Sequence, residues 1–598
     1  MKYMIITLHL VASLMMSPLM AASLQTRLDE IINHVDPQMP IGMQVVDLNT
    51  NTTLYQRHVD DLFVPASNMK LFSEAATLLL FGPDYRFKTQ LSTSAHQLDH
   101  GVLKGSVDLE LPGDPSLRSR DIRRLLVALR RQGMTNIQGN IILHTPLYAI
   151  RQDAPGVVLK DFNYSYGAPV GPLILDENQV TIITNPGPSV GKPAIITHRA
   201  PEQSVQIINH VTTSEKNSGL SFKMNEENQL TLQGSIGRHQ TAIVQHVAIR
   251  NPKRYAAALI MQQLSHLGIQ LQGQIILSEH PVSQGLILSR HYSKPLSQLM
   301  ADTLKASNNV YADGLYLHTA TRLQNAGVRW EQAEPLVKRF LQWTTGITFQ
   351  NGTWIDGSGL SRHDRVTPLQ TVALLRYIYT HFPLSYEYIA ALPIGGQDGT
   401  LQRRFGRHHH RGFIRAKTGT MTGVLSLSGY LYTPNGHTLA FAMYINTRPG
   451  TKPSISGRYR SVMDQLCETL LAFTPENSSF HDVKLTHLHP TFHQKLSFIQ
   501  HALRQQGRWR QLEGALKKAL QSQAVTVLYQ NQQLILIDHQ ADVNHVWRVL
   551  EALHKKYSFS VILQAPKTPQ HSATQPALLW ISTNANTTQQ VWTILRED

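Results

Sequence analysis

Hydrophobic and polar positions alternate with different periods along the chain, and changes of period mark separate elements. In residues 24–35 apolar side chains recur every three or four positions, which predicts an amphipathic helix. Residues 41–58 alternate with a period of two on either side of a turn, which predicts a β-hairpin. A strongly apolar stretch over residues 67–80 predicts a helix that ends before Gly82 and Pro83.

The pattern changes in residues 85–288, where short alternating stretches between turn residues predict a mostly β insertion of one or two subdomains. Helical periodicity returns after this insertion, and strands follow it. We predict helices at residues 296–305, 333–343, 368–379 and 461–472, and strands at 413–416, 424–431 and 439–445. Residues 23–84 and 289–473 are therefore predicted to form one α+β domain, an antiparallel sheet flanked by helices.

The C-terminal part reads as a separate unit. Residues 474–479, Thr-Pro-Glu-Asn-Ser-Ser, predict a linker, and residues 480–598 predict a small α+β domain whose role the pattern does not indicate. Its predicted helices lie near residues 496–520 and 543–557, and its predicted strands near 525–537, 559–563 and 577–582.

Composition narrows the class of protein and its partners. The 598 residues are 42% hydrophobic and 16% charged, which excludes a wholly disordered or fibrous chain. The formal net charge of +15 suits an anionic envelope polymer, with peripheral association at a membrane or wall surface. Nucleic acid is the alternative partner for such a charge, but no compact nucleic-acid motif is found, so none is expected. The oligomeric state stays open, and a homodimer is compatible with the sequence.

The first residues resemble an export signal. Lys2 precedes a short apolar run over residues 4–16, and Ala21 and Ala22 follow as a cleavage site. We expect residues 1–22 to be a signal peptide and the mature protein to be periplasmic. The alternative is a buried N-terminal helix.

The single cysteine, Cys467, lies in the last predicted helix of the α+β domain. One cysteine cannot form an internal disulfide, so the fold does not depend on oxidation. We expect a buried structural thiol rather than a catalytic one.

The first candidate for chemistry is the pair Ser67 and Lys70. A serine at neutral pH needs a base within hydrogen-bond reach, and residues three apart on a helix share one face. Burial can lower the pKa of a lysine until its amine accepts a proton. Alone, this S-x-x-K pattern is weak, because an N-capping serine and a surface lysine give the same letters.

Two further motifs strengthen it. Ser307 and Asn309 form an S-x-N motif after a predicted helix, and Lys417, Thr418 and Gly419 form a K-T-G motif at the end of a predicted strand. We expect Gly419 to let a substrate backbone lie close against an edge strand.

The order S-x-x-K, S-x-N, K-T-G resembles that of the penicillin-binding protein and serine β-lactamase superfamily. Ser307 lies 240 residues after Ser67, and so long an insertion is similar to that of the D-alanyl-D-alanine carboxypeptidase/endopeptidases of the penicillin-binding-protein-4 type, peptidase family S13. The resemblance covers residues 24–473 and rests also on segments at 113–117, 166–169, 356–362 and 396–401. It implies a β-lactamase/transpeptidase-like fold.

The resemblance also implies catalytic roles. Ser67 becomes acylated by the carbonyl of a D-Ala-D-Xaa bond, and Lys70 takes its proton. Ser307 relays a proton to the leaving amine beside Lys417, and Asn309 hydrogen-bonds the substrate amide. The chemistry needs no cofactor and no metal.

Substrate-binding roles are implied in the same way. Thr418 receives the terminal carboxylate, and the backbone N–H groups of Ser67 and Thr420 form the oxyanion hole. Asp161 and Arg362, with Tyr166 as a wall, hold the diamino-acid side chain of the stem peptide. The alternatives are an ordinary loop carboxylate for Asp161 and a structural ion pair for Arg362.

The implied activity is D-Ala-D-Ala carboxypeptidase and D,D-endopeptidase on peptidoglycan stem peptides, with β-lactams as further ligands. A β-lactamase and a non-catalytic β-lactam sensor or wall-enzyme scaffold are the alternatives. His408, His409 and His410 suggest zinc, but consecutive residues rarely form a tetrahedral set, so we expect a solvated basic loop.

Overall fold

The protein is described by a computed structural model. Description covers residues 23–94, 98–145, 153–282, 285–349, 351–406, 410–447 and 453–472, together with three strands between 525 and 581. The predicted signal peptide, the predicted tail helices and the predicted strand at 559–563 lie outside these residues. The chain divides into two units, Met1–Thr474 and Pro475–Asp598.

The centre of the first unit is a five-stranded antiparallel sheet. Its spatial order is Ile414–Met421, Val424–Tyr432, Thr438–Asn446, Ile41–Asp47 and Thr52–Arg57. Successive side chains of a strand point to opposite faces, and the Thr438–Asn446 strand shows the consequence. Its odd-numbered apolar residues from Leu439 to Ile445 pack into one core, and its even-numbered ones from Ala440 to Tyr444 pack into another.

Helices cover both faces of this sheet, which confirms the predicted α+β architecture. One face packs against the helices Leu24–Val35 and Pro453–Leu471. The other packs against a larger layer of helices: Lys70–Phe81, Leu296–Ala306, Asn309–Gln324, Trp330–Thr345, Pro368–Thr380 and Leu384–Ala391.

The Asn309–Gln324 helix has no counterpart in the sequence prediction. Every residue from Val310 to Thr321 is buried, so the helix lacks the polar face that makes helical periodicity visible. Leu384–Ala391 was also not predicted, and it has only eight residues.

The insertion has a hydrophobic core of its own. Two helices that the mostly β prediction missed, Ser119–Arg131 and Pro252–His266, pack into that core. The return strand Leu286–Tyr292 runs through the boundary predicted at residue 288. The strands, in sheet order, are Ile275–Ser278, Ile141–His144, Val107–Glu110, Lys88–Thr93 and Leu286–Tyr292; Gln270–Leu271, Asn136–Ile137, Val102–Leu103 and Leu98–Asp99; Ile195–His198, Gln179–Asn185 and Ile243–Ala248; and Gln206–Ser214, Gln229–Gly237 and Gly219–Met224.

The described part of the second unit is an antiparallel sheet of Val525–Gln530, Gln533–Asp538 and Ala577–Ile581, in that order. Two of these strands divide the stretch predicted as strand at 525–537. Among the described residues of the whole chain, every helix is too short or too polar to cross a bilayer.

Candidate active site

The S-x-x-K motif forms the turn that enters a buried helix. Ala66–Met69 is a 3₁₀ turn, and the α-helix Lys70–Phe81 continues from it. Lys70 Nζ lies 3.1 Å from Ser67 Oγ, and the lysine side chain is fully buried. Ser67 and Lys70 therefore form the pair that the motif predicted, although the helix begins at Lys70 rather than at Ser67.

Lys70 has two further acceptors. Its Nζ donates to Asn309 Oδ1 over 2.6 Å and to the carbonyl oxygen of Ser358 over 2.7 Å. Burial lowers the pKa of Lys70 to about 8, although the nearby carboxyl groups of Asp313 and Asp356 oppose that shift. A lysine with this pKa has a neutral fraction near physiological pH, which is what a general base needs.

Ser307 and Lys417 form a second hydroxyl–lysine pair. Ser307 ends the Leu296–Ala306 helix in a left-handed conformation, and Lys417 Nζ donates to its Oγ over 2.9 Å. Lys417 also donates to the carbonyl oxygen of Thr418 over 2.8 Å. Burial, and then the charge of Lys70, hold the pKa of Lys417 well below its usual value.

Asn309 connects the nucleophile to the insertion. Its Oδ1 accepts from Lys70, and its Nδ2 donates to the backbone carbonyl of Tyr166 over 2.8 Å. Both ends of this side-chain amide are therefore satisfied within the protein. A substrate amide at Asn309 has to replace or share one of these partners.

The K-T-G residues lie inside the edge strand Ile414–Met421, not at the end of a strand as predicted. Part of the outer edge is covered, because Gly395 N donates to Ile414 O and Ala416 N donates to Pro393 O. Outward-facing backbone groups recur every second residue. The backbone groups of Thr418 and Thr420 therefore face the outer edge beyond the covered part, where an extended peptide can pair with them.

Gly419 has a different reason from the one predicted. It is buried, and a Cβ atom there would overlap Ser426 Oγ and lie 2.8 Å from the carbonyl oxygen of Pro65. The close approach that requires glycine is that of the nucleophile turn to the strand. The expectation that Gly419 makes room for a substrate backbone is therefore wrong.

Thr418 has a partner that the motifs did not single out. Its Oγ1 donates to Thr400 Oγ1 over 2.7 Å. Two residues earlier, Asp398 accepts from Lys305 Nζ over 2.7 Å. These contacts join the segment 396–401 to both the K-T-G strand and the helix that ends at Ser307.

The residues expected to hold the stem side chain lie on two loops. Tyr166 OH donates to Asp161 Oδ1 over 3.0 Å, and the Tyr166 ring stacks on Tyr164. Through its carbonyl, Tyr166 contacts Asn309, so this loop of the insertion adjoins the catalytic groups. Arg362 instead donates to the carbonyl oxygen of Thr422 over 3.0 Å, just past the K-T-G strand.

A group of buried carboxyls beneath Lys70 was not predicted. Asp313 accepts from Gly357 N over 2.9 Å, and Asp356 accepts from Ser361 N over 2.7 Å. Burial raises the pKa of both side chains. Asp356 opens the segment 356–362, whose letters indicated a family resemblance without revealing this packing.

Of the three adjacent histidines, His408 and His409 lie outside the described residues. His410 is half-buried, with Nδ1 3.7 Å from Glu468 Oε1, so an acidic neighbour comes from a distant helix. Among the described residues no group of three or more metal-binding side chains occurs.

A serine next to a buried lysine, a second serine–lysine pair and an open strand edge define an active-site-serine hydrolase with a β-lactamase/transpeptidase-like fold. The sequence model of the D-Ala-D-Ala carboxypeptidase 3 (S13) family matches residues 24–470. The chain belongs to this peptidase family.

Individual relatives agree with the assignment. The chain is 28% identical over 417 residues to a D-alanyl-D-alanine carboxypeptidase DacB of Haemophilus influenzae, covering 68% of this chain and 85% of that protein. It is 27% identical over 462 residues to a D-alanyl-D-alanine carboxypeptidase of Actinomadura sp., covering 73% and 85%. The crystal structure of penicillin binding protein 4 from H. influenzae superposes with a TM-score of 0.67 at 26% identity, covering 74% of this chain and 98% of that one.

These findings confirm the predicted family and fold, and the chain is a penicillin-binding, serine-type D-Ala-D-Ala carboxypeptidase. They favour neither a β-lactamase nor a non-catalytic sensor.

Proposed function

We propose that the chain works on peptidoglycan as a D,D-carboxypeptidase and D,D-endopeptidase through an acyl-enzyme on Ser67. The observation that carries this proposal is the 3.1 Å contact between Ser67 Oγ and the buried Lys70 Nζ. The two reactions share the acylation step and differ in the leaving group. It is a free D-amino acid in the first reaction and the side-chain amine of a second stem peptide in the endopeptidase reaction.

Acylation begins with proton transfer. The neutral form of Lys70 takes the proton of Ser67 Oγ as this oxygen attacks the peptide carbonyl. When the tetrahedral intermediate collapses, the C–N bond breaks and the leaving amine takes a proton from Ser307 Oγ. Lys417 Nζ, 2.9 Å away, stabilises the serine oxygen and returns a proton to it.

Charge that develops on the carbonyl oxygen is assigned to the backbone N–H groups of Ser67 and Thr420. The outward direction of the Thr420 backbone on an edge strand supports this role. Thr418, held by Thr400, is assigned to the carboxylate of the leaving group. Water then attacks the ester, the ester C–O bond breaks, and Ser67 Oγ regains its proton.

The stem side chain is assigned to Asp161 and Arg362, with Tyr166 as a wall. The bond from Asn309 Nδ2 to the Tyr166 carbonyl supports the assignment, because it ties this loop to the catalytic groups.

A labelled penicillin tests the mechanism. We expect the wild type and Ser189→Ala, a change at an exposed serine of the insertion, to be acylated, and Ser67→Ala to remain unlabelled. Labelling of Ser67→Ala at the wild-type rate would sink the assignment of the nucleophile. Digestion of purified cross-linked muropeptides then separates the activities, because an endopeptidase releases monomers from dimers.

The proposed location is the periplasm, on the strength of the export-signal pattern in residues 1–22. N-terminal sequencing of protein from the periplasmic fraction is expected to begin at Ser23. Retention of Met1 in a cytoplasmic fraction would contradict it.

A further inference from the structure

A cavity of about 550 Å³ lies on the side of the S-x-N loop to which Asn308 points. The insertion forms one wall with the beginning of the Ser119–Arg131 helix and with the end of the Leu286–Tyr292 strand. The last turns of the Leu296–Ala306 helix form another. Asn308, which separates the two catalytic residues of the motif, donates across the cavity wall to Glu177 Oε2 over 2.7 Å.

Cations outnumber carboxylates around this cavity. Arg118 pairs with Glu177, and Lys294 pairs with Asp302 over 2.9 Å. The remaining lining carboxylate, Asp121, serves several cations at once. Its partners are Arg124 at 3.3 Å, Arg120 at 3.9 Å and His291 at 4.0 Å.

The arginine side chains at positions 120 and 124 are each 73% exposed, so they have capacity for a further anion. A cavity with this excess of positive charge attracts carboxylate groups.

Lys305 connects the cavity to the leaving-group side of the active site. It lines the cavity, and its Nζ donates to Asp398, which precedes Thr400 by two residues. Thr400 in turn holds Thr418, to which the proposed mechanism assigns the carboxylate of the leaving group. A leaving group that extends beyond Thr418 therefore has a route towards the cavity.

We propose that this cavity is the subsite for the second stem peptide of a cross-linked substrate, and that Arg120 and Arg124 bind its carboxylates. The inference rests on the proposed endopeptidase reaction. In that reaction the bond between the first stem's acyl carbon and the cross-link nitrogen breaks. The acyl group passes to Ser67 Oγ, and the protonated amine leaves on an anionic peptide. A free D-alanine is too short to reach the cavity.

The test compares two double variants on one helix. Arg120→Gln with Arg124→Gln removes two charges from the cavity. Arg123→Gln with Arg130→Gln removes the same charge from exposed positions that do not line it. Each protein is assayed for cleavage of a purified cross-linked muropeptide dimer, release of D-alanine from an uncross-linked pentapeptide, and acylation by labelled penicillin.

We expect the cavity variant to lose about tenfold in kcat/KM on the dimer, mainly through KM, as expected for two exposed charge pairs. Its pentapeptide hydrolysis and penicillin acylation stay within about twofold of the wild type, and the control variant stays so in all three assays. Raising the salt concentration lowers dimer cleavage by the wild type more than by the cavity variant.

Equal losses on dimer and pentapeptide, or unchanged dimer cleavage, would overturn the subsite. So would equal losses in both double variants. If the double change prevents folding, Arg120→Gln alone serves, since its guanidinium is 3.9 Å from Asp121. A wild type that fails to acylate with penicillin refutes the proposed function itself, which separates the two failures.

Discussion

Gly359 packs directly against Ala66, the residue before the nucleophile. A Cβ atom at Gly359 would overlap the Ala66 carbonyl oxygen and lie 3.0 Å from Met69 Cβ. Gly359 also has a φ of +79°, which favours glycine. Because the neighbouring Ser358 supplies a carbonyl acceptor to Lys70, this close approach positions both the serine and its base.

The first prediction concerns Gly359→Ala. We expect penicillin acylation to fall by about 100-fold or more, since small displacements of reacting groups cost this much, and we expect unfolding at a lower temperature. Stopped-flow acylation and thermal melting measure the two effects. Gly406→Ala is the control, because a Cβ atom there meets nothing within 4 Å. Wild-type acylation by Gly359→Ala would show that the contact does not position the nucleophile.

The second prediction is a pH profile. With the pKa of Lys70 at about 8, the neutral fraction of this lysine grows about tenfold per pH unit below 8. The acylation rate by penicillin is therefore expected to rise with pH and to level off above about 8. A rate that is flat between pH 6 and 8 would contradict Lys70 as the base.

The third prediction concerns Thr400, whose hydroxyl accepts from Thr418. Thr400→Val removes that acceptor and keeps the shape, so we expect the KM for a D-Ala-D-Ala peptide to rise about tenfold, as for a lost hydrogen bond of about 1 kcal/mol or somewhat more. Thr400→Ser restores the acceptor and is expected to restore KM. Failure of the serine variant to recover would point to lost packing instead.

The fourth prediction concerns acid stability. His318 is buried, and burial lowers its pKa from 6.5 to about 3. Between these values the unfolded chain binds a proton that the folded protein does not, so this residue reduces stability as the pH falls below about 6.5. Replacing it removes that contribution.

Chemical denaturation at several pH values measures this effect. His318→Gln is expected to show a shallower loss of stability between pH 6.5 and 4 than the wild type, even if it is less stable at pH 7. His246→Gln, at an exposed histidine, keeps the wild-type slope. An unchanged slope in His318→Gln would refute the prediction.

The fifth prediction concerns Cys467, which is fully buried in the Pro453–Leu471 helix. Burial raises the pKa of its thiol well above the usual range. A thiol reagent is expected to leave the native protein unmodified, with penicillin acylation unaffected, and to label it once urea unfolds it. Rapid labelling of the native protein would contradict the buried position.

The sequence by itself determined the elements whose exposure pattern repeats and the order of the catalytic motifs. The helix at Leu24–Val35 and the alternating strand Thr438–Asn446 have one buried face, or two distinct ones, so their periods are visible in the letters. Ser67 and Lys70 are three residues apart, and local helical geometry alone brings them together.

Only the tertiary structure decided what depends on contacts between distant segments. Lys417 reaches Ser307 across 110 residues, and Gly419 is required by Pro65 rather than by a substrate. The Asn309–Gln324 helix, buried over most of its length, has no polar face for a periodic pattern to reveal. Burial, and with it the lowered pKa of Lys70, is a property of the packed core and not of neighbouring letters.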